Sequence, residues 1–139
     1  MRAAEIFTGT LAENVHLGRA AIDLARVRDV LATLSLFEET LDLPGGLETQ
    51  LMSGGEPLSE NQARRVTLAR AIAGRPRLLL IDATLDGLPD RVLPQVLQSL
   101  RALRHHTTIV IVTGRDEVAD ACDRRIDLGS SPPPRSEDQ

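Results

Sequence analysis

"LSENQARRVTLARAIAGRPRLLLID", residues 58–82, holds a helix start, a helix stop and a strand in one uninterrupted run. Ser59 followed by Gln62 at the third helical position is a capping box: the hydroxyl accepts from one free N–H and the amide side chain returns to the cap. Val66, Ala69 and Ile72 then recur at helical spacing, and Gly74 with Pro76 beyond it reads as the stop. "LLLI" follows as a short aliphatic run of the kind buried on both faces of a parallel sheet, ending in Asp82. A second such run, "TTIVIV" at 107–112, lies beyond a helical pattern from about Asp90 to His105. Strand, helix and strand in that order imply a right-handed parallel crossover, and so an α/β class.

Toward the N-terminus, Thr10 and Glu13 form another capping box for a short helix. Between Ala21 and Leu41 the apolar residues Ile22, Leu24, Val27, Val30, Leu31, Leu34 and Leu36 keep helical spacing up to a break near Ser35, which predicts two amphipathic helices. "DLPGGLETQLMSGGEP", residues 42–57, reads as a long glycine-rich loop. Past the second strand, "GRDEVADACDRR" predicts a last short helix and "IDL" a further strand, while "GSSPPPRSEDQ" is too polar and proline-rich to fold.

With 139 residues and 42% apolar content there is room for one core. The net charge of −4 gives no electrostatic reason to expect nucleic acid. All 16 basic residues are arginine, so no lysine serves a Schiff base or a phosphate loop. Cys122 has no partner for a disulfide, falls in the last helical pattern and reads as a small buried side chain in a reducing compartment. The longest aliphatic runs are too short to span a bilayer.

"IFTGTLAENV", "LPGGLETQLMSGG", "LSENQARRVTLARAIAGRPRLLLID" and "TTIVIVTGR", in this order and spacing, resemble the C-terminal part of the nucleotide-binding domain of exporter-type ATP-binding cassette (ABC) transporters, over about residues 5–128. The resemblance implies a partial P-loop NTPase core with a helical subdomain: residues about 10–74 as helical subdomain and signature helix, 75–128 as a remnant of the core sheet, and 129–139 as a disordered tail. It also implies ATP and Mg as cofactors, a second nucleotide-binding domain carrying a phosphate loop and a transmembrane domain as partners, and a cytoplasmic place at the inner face of a membrane.

Carried over residue by residue, the resemblance is uneven. "LSENQ" stands where the family has Leu-Ser-Gly-Gly-Gln, so Ser59, Glu60, Asn61 and Gln62 are the nucleotide-binding candidates. A helix N-terminus suits a γ-phosphate, but Glu60 brings a carboxylate to the first glycine position, and the half-site is weak unless that side chain points away. Asp82 stands where a carboxylate holds magnesium through water. Ala83 occupies the position of the catalytic glutamate, Gly114 that of the switch histidine, and Pro89 the aspartate of the dimer-facing loop. The glutamine that couples magnesium to the membrane domain falls near Arg2, and the phosphate loop is missing. His105 and His106 precede the strand and read as solvated.

The expectation is therefore a degenerate segment, inactive as an isolated chain, that supplies at most a signature-helix half-site to a partner. The alternatives are a free-standing non-catalytic interaction module, or a gene fragment of a longer transporter in which Met1 is an internal residue. The strands also predict uncovered apolar surface, and with it marginal stability or self-association.

Overall fold

The computed structural model describes residues 5–129. The stretch around Arg2 and all but the first residue of the expected disordered tail lie outside it. The elements run β1 (Gly9–Thr10), α1 (Leu11–His16), α2 (Leu24–Thr33), α3 (Phe37–Leu41), β2 (Gln50–Leu51), α4 (Glu60–Ala73), β3 (Leu78–Asp82), α5 (Leu93–Ala102), β4 (Thr108–Val112) and α6 (Asp116–Asp120), with short 3₁₀ turns between several of them. This is the expected α/β class.

Local chemistry sets most of the boundaries. α1 opens on Thr10, whose side chain accepts the N–H of Glu13 while the Glu13 carboxylate returns to the cap. α2 is capped by Asp23. Ser35 takes a left-handed φ of 55°, which breaks α2 from α3 at the expected place. α4 ends at the expected stop. Gly74 sits at its C-cap with φ −74°, and the left-handed residue is Arg75. A Cβ at Gly74 would lie 2.8 Å from an Arg19 nitrogen, so the Arg19 guanidinium lies directly over the helix end. The reason is visible in the carbonyls that a helix C-terminus leaves free. Arg19 donates to the Arg70 carbonyl and Arg26 to those of Ile72 and Ala73.

α4 packs against α1 and α2, burying Val66, Ala69 and Ile72 against Leu11, Val15, Val27, Val30 and Leu31. The 42–57 segment is not a free loop, because β2 pairs antiparallel with β1 (Gly9↔Leu51, Thr10↔Gln50) and Leu51 is buried. β3 and β4 pair parallel in the register Leu78↔Thr108 through Asp82↔Val112. Leu79 and Ile81 face the core, with Val96 and Leu100 of α5 in the same cluster.

β3 corrects the expectation of burial on both faces. Leu78 and Leu80 are 55% and 68% exposed, and Val110 and Val112 of β4 lie about half exposed beside them. The sheet is covered on one side only. Two smaller expectations also fail: "IDL" (126–128) forms no strand, and Cys122 is exposed just beyond α6. Among the described residues no helix is long and apolar enough to cross a membrane.

Candidate functional site: a helix N-terminus and a sheet edge

The first part of the site is the start of α4. Ser59 is extended (φ −68°, ψ 163°) and its hydroxyl accepts the Gln62 N–H at 3.3 Å, while Gln62 Oε1 accepts the Ser59 N–H at 2.8 Å. The N–H groups of Glu60 and Asn61 have no intrahelical partner, as at any helix start. Glu60 does not lean over them. Its carboxylate pairs with the Arg64 guanidinium one turn along, with Glu60 75% exposed and Arg64 nearly buried. Asn61 turns aside as well, its Oδ1 accepting from Arg65 at 2.8 Å.

Arg65 is the buried hub beneath this turn. It donates to both oxygens of Glu39 at 2.9 Å and to the Ser35 carbonyl at 2.7 Å. Gln62 Nε2 also reaches Glu39, at 2.8 Å. Burial by itself would raise the Glu39 pKa, but hydrogen bonds from Gln62 and Arg65, with the charges of Arg65 and Arg91, outweigh it and hold the carboxyl below the ordinary glutamate value. Arg65 Nε is left without a partner, which marks the hub as constrained.

The second part is the C-terminal edge of β3 and β4, where ligands bind in open parallel sheets. The register sets Asp82 beside Val112, and the Ala83 N–H donates to the Val112 carbonyl at 2.9 Å. Ala83 sits at φ 56°, a left-handed conformation that costs an alanine about 1–2 kcal/mol. Asp82 is exposed, and its side chain makes no bond or ion pair among the described residues. No group of three potential metal-binding side chains is found among those residues. A lone exposed carboxylate fits the outer shell of a magnesium brought in on phosphates, since that ion keeps most of its waters; it does not fit a metal held by this chain alone.

Asp86 fills the space between the two strand ends. It accepts the Gly114 N–H at 2.8 Å and the Thr113 hydroxyl. From the other side Arg115 donates to the Leu88 carbonyl at 2.9 Å and to Asp90 at 2.7 Å. The loops after β3 and β4 are thus clamped together. Gly87, on the first of them, lies so close to Arg64 that a Cβ would meet its Nε at 2.7 Å.

The sequence candidates thus fall into two groups. Asp82, Ala83 and Gly114 come together at the sheet edge. Ser59, Glu60, Asn61 and Gln62 cluster at the α4 start, and Arg64, packed against Gly87, links that start to the loop after β3. Sequence reasoning missed Arg64, Arg65, Glu39, Asp86 and Arg115. The Glu60–Arg64 and Asn61–Arg65 pairs were legible at i,i+4 spacing; Arg65–Glu39, Asp86–Gly114 and Arg115–Leu88 join residues more than twenty positions apart.

No family model matches the chain. Among curated proteins it is similar to an uncharacterised ABC transporter ATP-binding protein, YfiB, of Bacillus subtilis, 29% identical over 119 residues that cover 86% of this chain and 20% of the relative. It is 33% identical over 126 residues to an ATP-dependent lipid A-core flippase of Cupriavidus metallidurans, covering 88% of the chain and 21% of the flippase. Among solved structures it superposes on a bacterial Atm1-family ABC exporter with ATP bound, at a TM-score of 0.77 and 28% identity, over 86% of this chain and 21% of that one. The chain spans about a fifth of the length of each. By sequence and by fold it is a relative of the ATP-binding portion of exporter-type ABC transporters.

Proposed function

We propose that this chain is a non-hydrolysing ATP-binding-cassette segment that lends the start of α4 to an ATP site completed in trans. A partner brings the phosphate loop, the ATP and its magnesium. Ser59 and the free N–H groups of Glu60 and Asn61 meet the γ-phosphate. Such an assembly works at the inner face of a membrane, beside the transmembrane domain of an exporter. The observation that supports this most is the position of Glu60. Its carboxylate is drawn onto Arg64, so the dipole end of α4 keeps its preference for an anion.

The chemistry of hydrolysis is another matter. Ala83 cannot accept a proton or orient water, and loss of a general base removes about two to four orders of magnitude in rate. Gly114 has no side chain, and its N–H is held by Asp86. That clamp also favours a second reading, a free-standing interaction module in which the loops serve only as scaffold.

A substitution at Ser59 separates the readings. Ser59→Asp retains an N-cap acceptor but puts a carboxylate where the γ-phosphate would sit. Complexes are captured from the host's membranes on the tagged chain with and without a non-hydrolysable ATP analogue, and identified by mass spectrometry. The expected result is a phosphate-loop polypeptide that depends on the analogue and is lost in Ser59→Asp. A partner indifferent to nucleotide and to Ser59→Asp refutes the trans site and leaves the interaction module.

A further inference from the structure

An open pocket of about 290 Å³ lies between the C-terminal half of α5, the core-facing side of β4 and the turn after α6, away from both parts of the site above. Its apolar part is made by Leu97 and Leu100 of α5 with Ile109 and Ile111 of β4. These isoleucines alternate with the exposed Val110 and Val112, so they turn to the α5 side of the sheet. Arg101 and Arg104, neighbours at i,i+3, line the pocket as well, two cations against the one carboxylate of Asp123. Arg101 makes no hydrogen bond or ion pair among the described residues. Arg104 meets Asp123 only at 3.8 Å, with both side chains more than half exposed, a contact too long and too solvated to satisfy it. An apolar floor with unspent cationic donors in its lining, near the small end of the roughly 300–1,000 Å³ range of ligand pockets, is the pattern of a binding site for an amphipathic molecule.

We infer that this pocket binds a small amphipathic carboxylate, an aliphatic acid of medium chain length. The guanidinium fork matches a carboxylate through two parallel N–H···O bonds, and the tail covers the four aliphatic side chains, where burial of apolar area is favourable. A free inorganic anion leaves that floor wet; a neutral hydrocarbon leaves the arginines unused. This inference is independent of the trans ATP site.

Cys122 is the chain's one cysteine, it is exposed, and it lines the same pocket, so its thiol reports occupancy. The rate of Cys122 labelling by a neutral pyridyl disulfide is measured against increasing octanoate, with octanol as the uncharged control. Octanoate is expected to slow labelling saturably and octanol to do so more weakly. Arg101→Gln with Arg104→Gln is expected to raise the octanoate needed by roughly threefold or more. Both arginines are exposed, and the single Arg101→Gln variant serves if the pair disturbs folding. Leu80→Ser, on the opposite side of the sheet, should leave protection unchanged. The inference is overturned if octanoate gives no protection, if octanol protects equally, if both arginine variants bind octanoate as the parent does, or if Leu80→Ser abolishes protection, which would put the acid on the open sheet face.

Discussion

At Glu60 the chain sets a carboxylate on a helix end whose dipole favours an anion, and Arg64 draws it aside. The pair is an i,i+4 contact with one exposed partner, so by itself it contributes only about 0.3–0.5 kcal/mol; its consequence lies in where the charge points. Beneath it, Arg65 and Glu39 matter more for stability. Removing one partner of a buried pair leaves a charge without compensation and costs about 3–5 kcal/mol. Glu39→Gln, which leaves the fully buried Arg65 without its counter-charge, is therefore expected to lower the denaturant midpoint sharply, with Arg65→Met milder because the Glu39 left behind is partly exposed. The Glu39 pKa, lowered by Gln62 and Arg65 against the opposing effect of burial, gives a sign for pH. A depressed carboxyl contributes stability that is present above its unfolded value, about 4.3, and is lost as pH falls through the folded value below that. Denaturant titrations across that acid window should show a smaller loss in Glu39→Gln than in the parent. Ala83→Glu puts a second carboxylate beside Asp82, yet the Gly114 N–H stays held by Asp86 and the chain has no lysine to hold a phosphate; phosphate release from ATP by that variant alone is expected to stay at background.

Among the elements, the loop Leu85–Asp90 ties the two halves of the site together. Gly87 lies against the Arg64 side chain, and a methyl there forces the guanidinium out of its place. Gly87→Ala is expected to cost about 1–3 kcal/mol and to speed amide exchange at the start of α4, whereas Gly18→Ala, where nothing lies within 4 Å, should leave the α4 start unaffected. Two capping boxes, the break at Ser35 and the parallel strand pair were legible because each is written in residues a few positions apart or in strand periodicity. Apolar periodicity alone did not reveal that β3 is covered on one side only, since a run of leucines looks the same whether one face or two are buried. Nor did it show that β2, inside the glycine-rich stretch, pairs with β1 near the N-terminus, since each strand is only two residues long. At the candidate site, Ser59, Asp82, Ala83 and Gly114 are proposed on the resemblance, and the cap that Ser59 forms was legible in its own capping box. Arg65–Glu39 and Asp86–Gly114 were not, because long-range side-chain pairing leaves no local pattern.

For the molecule as a whole, the open face of β3 and β4 sets its behaviour in solution. Leu78, Leu80, Val110 and Val112 form a contiguous aliphatic surface on a two-stranded sheet, and such surfaces with free strand edges self-associate. Leu80→Ser is expected to reduce association in sedimentation velocity at little cost in stability, whereas Leu79→Ala, on the covered face, should lose about 2–5 kcal/mol. The proposed function rests on the same division: a packed helical part that presents the α4 start, and a sheet edge with Asp82, Ala83 and a clamped Gly114. The most direct measurement is phosphate release from ATP and magnesium by the purified chain, followed to saturating nucleotide. Release indistinguishable from a protein-free control is the result this account predicts; saturable turnover that co-purifies with the chain and is abolished by Asp82→Asn would contradict it.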